Sequence, residues 1–165
     1  RLCEAMITSS SNLATNLLIE KVGIENVRRT VESLGARGMQ VRRGVEDGKA
    51  FRAGIVNTTT ARGLLVLLEK LARGVVVDPE SSRAMVEVLK RQKFGDAIPA
   101  GLPAGVLVAH KTGQITKIRH DAAIVYARHP FVLVILVRGL ADEKASASLM
   151  ADITRTLYPA SQGEP

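Results

Sequence analysis

Apolar residues follow a helical spacing through the first half of the chain. They recur three and four positions apart over residues 9–22 and 24–34, and again further along the chain. We therefore expect helices at both places, and two more that start at Asn57-Thr58-Thr59-Thr60 and at Asp78-Pro79-Glu80, where short polar or acidic side chains can cap a first turn. Residues 36–56 show no such period and hold four glycines. They predict a long loop, and long loops inside a domain tend to be functional.

The second half of the chain changes to strand-like patterns. Short runs rich in β-branched residues predict three strands, at 106–109, 122–127 and 131–137. His129-Pro130 predicts a tight turn, which makes the last two strands an antiparallel hairpin. Residues 94–105 are rich in Gly and Pro and form the predicted connection from the helices to the sheet.

Residues 142–157 return to helical spacing, so the chain runs from helices to a sheet and then to one last helix. This order predicts an α+β fold rather than alternating βαβ units. We expect a helical part over about 1–103, a sheet with the C-terminal helix over about 104–158, and a tail over 159–165. The 165 residues, 46% of them apolar, suit one domain of ordinary size.

Charge and composition exclude several classes of function. The net charge is +7, but the basic residues are scattered and the chain has no Trp, three Phe and two Tyr, so we expect no nucleic-acid partner. No apolar run approaches the roughly 18 residues that cross a bilayer. Cys3 is the single cysteine and the three histidines lack ligand spacing, so no metal and no cofactor is predicted. No pattern indicates an oligomeric state.

Two short motifs carry the candidate chemistry. Ser10-Ser11-Asn12 opens the first predicted helix, and Lys111-Thr112-Gly113 sits at the end of the first predicted strand. Taken singly, each has a structural interpretation: Ser10 or Ser11 as a helix cap, Lys111 as a surface charge and Gly113 as a turn residue. Their order and their separation of roughly 100 residues favour a site, because S-x-x-K, S-D-N and K-T-G form one set in serine β-lactamases and penicillin-binding proteins.

With these motifs, the chain resembles the class A β-lactamase-like serine hydrolases over nearly its whole length. Ser10-Ser11-Asn12 occupies the S-D-N place, and Asn57-Thr58-Thr59-Thr60 looks like the helix start that follows the omega loop of the family. The resemblance implies a three-layer αβα fold. The S-x-x-K motif is absent, since no serine has Lys three positions later. We therefore expect a C-terminal part of the family's domain, incomplete at its N-terminus, inactive alone, and prone to aggregate through an exposed sheet edge.

The resemblance implies a role for each of three catalytic candidates. Ser10 relays a proton to the leaving nitrogen, and Lys111 keeps Ser10 polarised. Glu46 lies eleven residues before Asn57, about where the family places the base that activates the deacylating water. Ala50, rather than Asn, stands four residues later, so the alternative for Glu46 is a solvated loop carboxylate.

The resemblance also implies substrate-binding residues. Asn12 holds the substrate's side-chain amide, and Thr112 donates to its carboxylate. Gly113 lets the strand backbone approach the ligand, and the Gln114 backbone N–H forms half of an oxyanion hole. His120 stands near the place of a carboxylate-binding arginine, with a solvent-exposed strand-end pair to Asp121 as its alternative.

Three functions follow from this resemblance, in order of preference. The first is hydrolysis of a β-lactam amide through a serine acyl-enzyme whose nucleophile lies outside this chain. The second is a penicillin-binding D-Ala-D-Ala peptidase or amidase acting on a peptidoglycan-like peptide, and the third is a non-catalytic ligand-binding domain. The resemblance implies a periplasmic or secreted full-length protein.

Overall fold

Helices make up the first half of the chain and a small sheet makes up most of the second. The computed structural model describes residues 1–140 and 142–163. Seven α-helices and three strands occur in these residues: α1 Leu2–Thr8, α2 Asn12–Val22, α3 Ile24–Ser33, α4 Gly48–Arg52, α5 Ala61–Ala72, α6 Pro79–Leu89, β1 Leu107–Ile115, β2 Ile118–Tyr126, β3 Phe131–Arg138 and α7 Glu143–Leu157. Short 3-10 helices span Pro99–Gly101 and Tyr158–Gln162. The α+β order is confirmed.

Polar side chains start the longer helices where the sequence indicated. Ser11, Thr60 and Asp78 each accept a hydrogen bond from a backbone N–H in the first turn of α2, α5 and α6. Pro79 occupies the first position of α6, where it gives up no intrahelical hydrogen bond. These caps fix where α2, α5 and α6 begin.

The three strands form one antiparallel sheet in the order β1-β2-β3. One face, with Ala109, Ala122 and Ile124, packs on α5 and α6. The opposite face, with Ala123 and Val125, packs on α7 and on the segment around Ile98. The sheet is therefore the middle of three layers, as the resemblance implied. No described helix is both long enough and apolar enough to cross a bilayer.

The structure differs most from the sequence prediction at two helices and at the facing ends of two strands. Helix α1 was not predicted, and α4 lies within the stretch predicted as loop. Strand β1 runs on to Ile115 and β2 starts at Ile118, so residues 110–115 and 118–121 are paired strand, joined by a two-residue turn. Many of them are polar, which hides them from a search for apolar runs, since cross-strand pairing rather than propensity places them in the sheet.

Candidate active site

A sharp corner between α1 and α2 presents Ser10. The backbone N–H groups of Ser9 and Ser11 both donate to the Ala5 carbonyl, which closes the end of α1. Ser10 has φ +52°, a left-handed conformation that is uncommon for a residue with a Cβ. Ser11 takes the capping role instead, because its Oγ accepts from the Ala14 N–H at 3.2 Å. The structure thus separates the two interpretations of this motif: Ser11 caps the helix and the Ser10 hydroxyl is left for other contacts.

The segment after α6 holds this corner in place. The Gln92 side-chain amide donates to the Ile7 carbonyl at 2.8 Å, and the Lys93 backbone N–H donates to the Thr8 carbonyl at 3.2 Å. Both bonds tie the last turn of α1 to a segment that leads towards the sheet. The position of Ser10 is therefore set by contacts with a distant part of the sequence.

Strand β1 brings Lys111 to Ser10. The Lys111 ammonium Nζ donates to Ser10 Oγ at 2.5 Å and to the Thr112 carbonyl at 2.6 Å. Burial lowers the pKa of the Lys111 ammonium below its ordinary value, and the negative charge of Asp121 opposes that lowering in part. The site therefore pairs a charged, partly desolvated donor with a serine oxygen, an arrangement suited to moving a proton.

Ser10 and Lys111 open onto a cavity of about 960 Å³. Six of the eight predicted site residues line it: Ser10, Asn12, Lys111, Thr112, Gly113 and Gln114. A Cβ added at Gly113 would meet nothing within 4 Å, so the glycine leaves the strand backbone open to whatever occupies the cavity.

Glu46 lies outside this cavity. It lines a second one of about 460 Å³, between the loop before α5 and the end of β1, and its side chain is exposed. Asn12 and Gln114 line both cavities, which are therefore neighbours. The structure does not bring Glu46 into the same cavity as Ser10 and Lys111.

Asparagine side chains hold the loop that carries Glu46. Asn57 Oδ1 accepts from the Arg42 and Arg43 N–H groups at 2.8 and 3.1 Å, and its Nδ2 donates to the Arg43 carbonyl. Asn16 on α2 bonds both the N–H and the carbonyl of Val45. Neutral amides bonded to backbone therefore close this loop.

His120 does not line the main cavity, although it was a substrate-binding candidate. Its Nδ1 lies 2.8 Å from the Arg119 carbonyl and 3.1 Å from the Val137 backbone nitrogen. Its neighbour Arg119 lines the cavity instead, with its guanidinium 2.6 Å from the Asp96 carboxylate. Sequence reasoning missed Arg119 because it began β2 too late; with the strand extended, its pairing with Gln114 would have indicated it.

The alternative of a solvent-exposed His120–Asp121 pair is wrong. Asp121 has no exposed surface and pairs with His110, whose Nδ1 lies 3.0 Å from Asp121 Oδ1. His110 lies buried on the face of the sheet opposite the Lys111 side chain. Among the described residues, no cluster of His, Cys, Asp or Glu side chains could hold a metal ion.

Comparison with known proteins points to one family. A family model described as Beta-lactamase enzyme family matches residues 1–160. The β-lactamase of Streptomyces albus G is 31% identical over 163 residues, which make up 94% of this chain and 52% of that protein. The chain spans about half the length of the curated relatives it matches.

Solved structures agree with the sequence match. The β-lactamase from Sphaerobacter thermophilus DSM 20745 matches with a TM-score of 0.91 at 28% identity, covering 99% of this chain and 63% of its own. A variant of PBP-A in an acyl-enzyme complex with penicillin G matches with a TM-score of 0.87 at 28% identity, covering 96% and 60%. The fold, the sequence and the family match agree, and the chain therefore belongs to the β-lactamase enzyme family.

Proposed function

We propose that this chain carries the proton-transfer and substrate-binding half of a serine acyl-transfer site that opens β-lactam amides. The observation that carries the proposal is the Lys111 ammonium on the Ser10 hydroxyl, 2.5 Å apart at the wall of a large cavity. A short charge-assisted bond of this kind polarises the serine oxygen. Ser10 can then pass a proton to the nitrogen that leaves when the amide opens.

The attacking serine comes from elsewhere in the whole protein. No serine of this chain is followed three positions later by a lysine, the pairing that activates the nucleophile in this family. In our proposal an S-x-x-K segment faces the same cavity. Its serine attacks the carbonyl carbon of the amide, and the C–N bond breaks. The leaving nitrogen takes its proton from the Ser10 hydroxyl, and Ser10 regains a proton from the S-x-x-K segment.

The remaining cavity residues bind and orient the substrate. The Asn12 side chain, which can both donate and accept, suits the amide of the substrate's side chain. Thr112 and Lys111 supply a hydroxyl donor and a positive charge for a carboxylate, and Arg119 adds a second cation on the same wall. The Gln114 backbone N–H is proposed to bind the developing oxyanion.

A β-lactam substrate is supported by the relatives. The similar PBP-A variant forms an acyl-enzyme complex with penicillin G, and the curated relatives above are β-lactamases. A β-lactam carries a cyclic amide and a carboxylate, the two groups that this cavity is equipped to meet. We propose an exported protein, because β-lactams and peptidoglycan peptides are encountered outside the cytoplasm.

A second candidate is a penicillin-binding D-Ala-D-Ala peptidase that acylates with β-lactams but releases them slowly. The placement of Glu46 favours it. A base that activates the deacylating water must reach the acyl group within hydrogen-bond distance or through one water; the exposed Glu46 carboxylate shares its cavity with Gln114 but not with Ser10 and Lys111.

Labelling of the whole protein tests both candidates. A fluorescent penicillin and intact mass measurement would show whether an acyl adduct forms, and nitrocefin turnover would show whether it is released. A fast-forming adduct with rapid turnover supports the β-lactamase, and a persistent adduct supports the peptidase. If a protein that contains the S-x-x-K segment shows neither an acyl adduct nor nitrocefin turnover, acyl transfer is refuted. The remaining function would then be a non-catalytic ligand-binding domain.

A further inference from the structure

A buried ionisable cluster lies on the face of the sheet opposite the Lys111 side chain. His110 Nδ1 is 3.0 and 3.3 Å from the two carboxylate oxygens of Asp121, and the Ile98 backbone N–H donates to Oδ2 at 3.2 Å. Asp121 has no exposed surface and His110 is 4% exposed. The function proposed above uses neither side chain, although removing a carboxylate from water is costly.

The pairing of β1 with β2 places this cluster directly behind Lys111. Asp121 pairs with Thr112, and Lys111 pairs with Ala122, so the two charged side chains leave opposite faces of the sheet at adjacent positions. Because Asp121 is fully buried, the field of its carboxylate reaches Lys111 through protein rather than water and is weakly screened. The direction agrees: the Asp121 charge raises the pKa of Lys111 against the larger lowering by burial.

Among the described residues near Lys111, Asp121 is the acidic group placed to offset the positive charge of the Lys111 ammonium. Asp96 is already 2.6 Å from the Arg119 guanidinium, and the position of β3 that pairs with Asp121 is the apolar Ile135. Among the described residues, the other charged or titratable side chains that adjoin the pair or line the cavity of Lys111 are His110 on β1, Arg119 and His120 on β2, Lys93 and Asp96 before the first 3-10 helix, and Lys144 at the start of α7.

We propose that Asp121, held in place by His110 and the Ile98 N–H, is a positioning residue whose buried negative charge keeps Lys111 protonated on the Ser10 hydroxyl. The inference rests on the proposed roles of Ser10 and Lys111. Without that charge, desolvation acts on the ammonium unopposed. Lys111 then loses its proton at lower pH and can no longer give a charged hydrogen bond to Ser10.

The test is the titration of Lys111 itself, followed by the ¹³Cε signal of labelled lysines and assigned with Lys111→Arg. Asp121→Asn keeps the shape and the hydrogen-bonding capacity of the side chain and removes its charge. We expect it to lower the pKa of Lys111 and to move the alkaline limb of acylation by β-lactam in the same direction. His110→Asn is the matched control, because it loosens the same cluster but retains the carboxylate and is not expected to lower the pKa.

A second variant keeps the proposal testable if Asp121→Asn does not fold. His110→Lys places an ammonium group against the carboxylate and is expected to lower the pKa of Lys111 as the Asn variant does. A pKa of Lys111 that these changes leave in place would overturn the proposal. The His110–Asp121 pair would then serve only to connect strands β1 and β2. The titration needs no turnover, so an inactive protein would refute only the proposed function.

Discussion

The Lys111 ammonium reaches the Ser10 hydroxyl across 101 positions of sequence, with Nζ 2.5 Å from Oγ. Each partner is supplied by a different layer of the fold, Ser10 by the corner between α1 and α2 and Lys111 by the edge strand β1. The contact therefore forms only when the helical part and the sheet are docked together.

Replacing Ser10 should separate chemistry from stability. We expect Ser10→Ala in the whole protein to slow β-lactam acylation by roughly 10²–10⁴-fold, the range for a lost proton-transfer group, with little loss of stability because Ser10 caps no helix. Ser11→Ala is the control: it removes the α2 cap and should cost about 1 kcal/mol of stability with a smaller effect on acylation. Stopped-flow labelling and thermal melts would measure both, and equal kinetic losses would contradict the division of roles.

Lys111 should give the reaction an alkaline limit below its ordinary pKa of 10.5. If acylation needs the Lys111 ammonium, its rate is highest below the lowered pKa and declines as pH rises through that pKa. Lys111→Arg should move this alkaline limb to higher pH, since an arginine stays charged. The rate should be lower, because the guanidinium fits the site differently. The pH profile of kcat/KM checks this, and an alkaline limb that stays in place in the variant would assign it to another group.

The same shift affects folding in a defined direction. Because the folded state holds the Lys111 proton less tightly than the unfolded state, the contribution of Lys111 to the free energy of unfolding is highest above pH 10.5 and declines as pH falls to the lowered pKa. Lys111→Met, which retains much of the stem without the charge, should remove this dependence in denaturant titrations across alkaline pH. An unchanged slope would mean that burial of Lys111 has little effect on its proton.

Glu46→Gln should leave the lifetime of the acyl-enzyme about as it is, because Glu46 lines the neighbouring cavity. Mass measurement of the adduct over time gives the lifetime directly. Asp47→Ala is a useful comparison, since Asp47 caps α4 through the Ala50 N–H at 2.9 Å and its loss disturbs the same loop without touching Glu46. Accumulation of adduct in the Gln variant alone would restore Glu46 as the deacylation base.

Asn57→Ala should loosen the loop before α5. It removes two acceptor bonds and one donor bond, each worth about 0.5–1.5 kcal/mol and less at an exposed site. Hydrogen exchange at the Arg42 and Arg43 amides should therefore accelerate, while Asn57→Asp, which keeps both acceptor bonds, should protect them better. Equal exchange in the two variants would show that other contacts hold the loop.

Gly101→Ala should destabilise the packing of α7. An added Cβ would lie 2.2 Å from the Ala151 carbonyl oxygen and 2.7 Å from Thr154 Cβ, so we expect a loss of about 1–3 kcal/mol. Gly95→Ala serves as control, because its Cβ would meet only Pro99 Cβ at 3.9 Å. Denaturant melts that do not distinguish the two variants would contradict this close approach.

The sequence predicted the central pair of the site better than its surroundings. Ser10 and Lys111 were indicated by motifs whose residue types the chemistry demands. Arg119 was missed because strand ends lined with polar residues carry no apolar alternation, and only pairing across the sheet reveals them. The role of Glu46 stays a prediction, because it was chosen by its spacing from Asn57 and spacing along an irregular loop does not determine which cavity a side chain lines.

Asn12 and Gln114 line both cavities around the site. Ser10 and Lys111 line one, and the other is bounded by a loop that amides and backbone bonds keep in shape. The loop residues that line the second cavity, Arg43 and Val45 to Gly48, do not line the first. Substitutions in this one surface loop could therefore change which molecules the protein accepts and leave Ser10 and Lys111 unchanged.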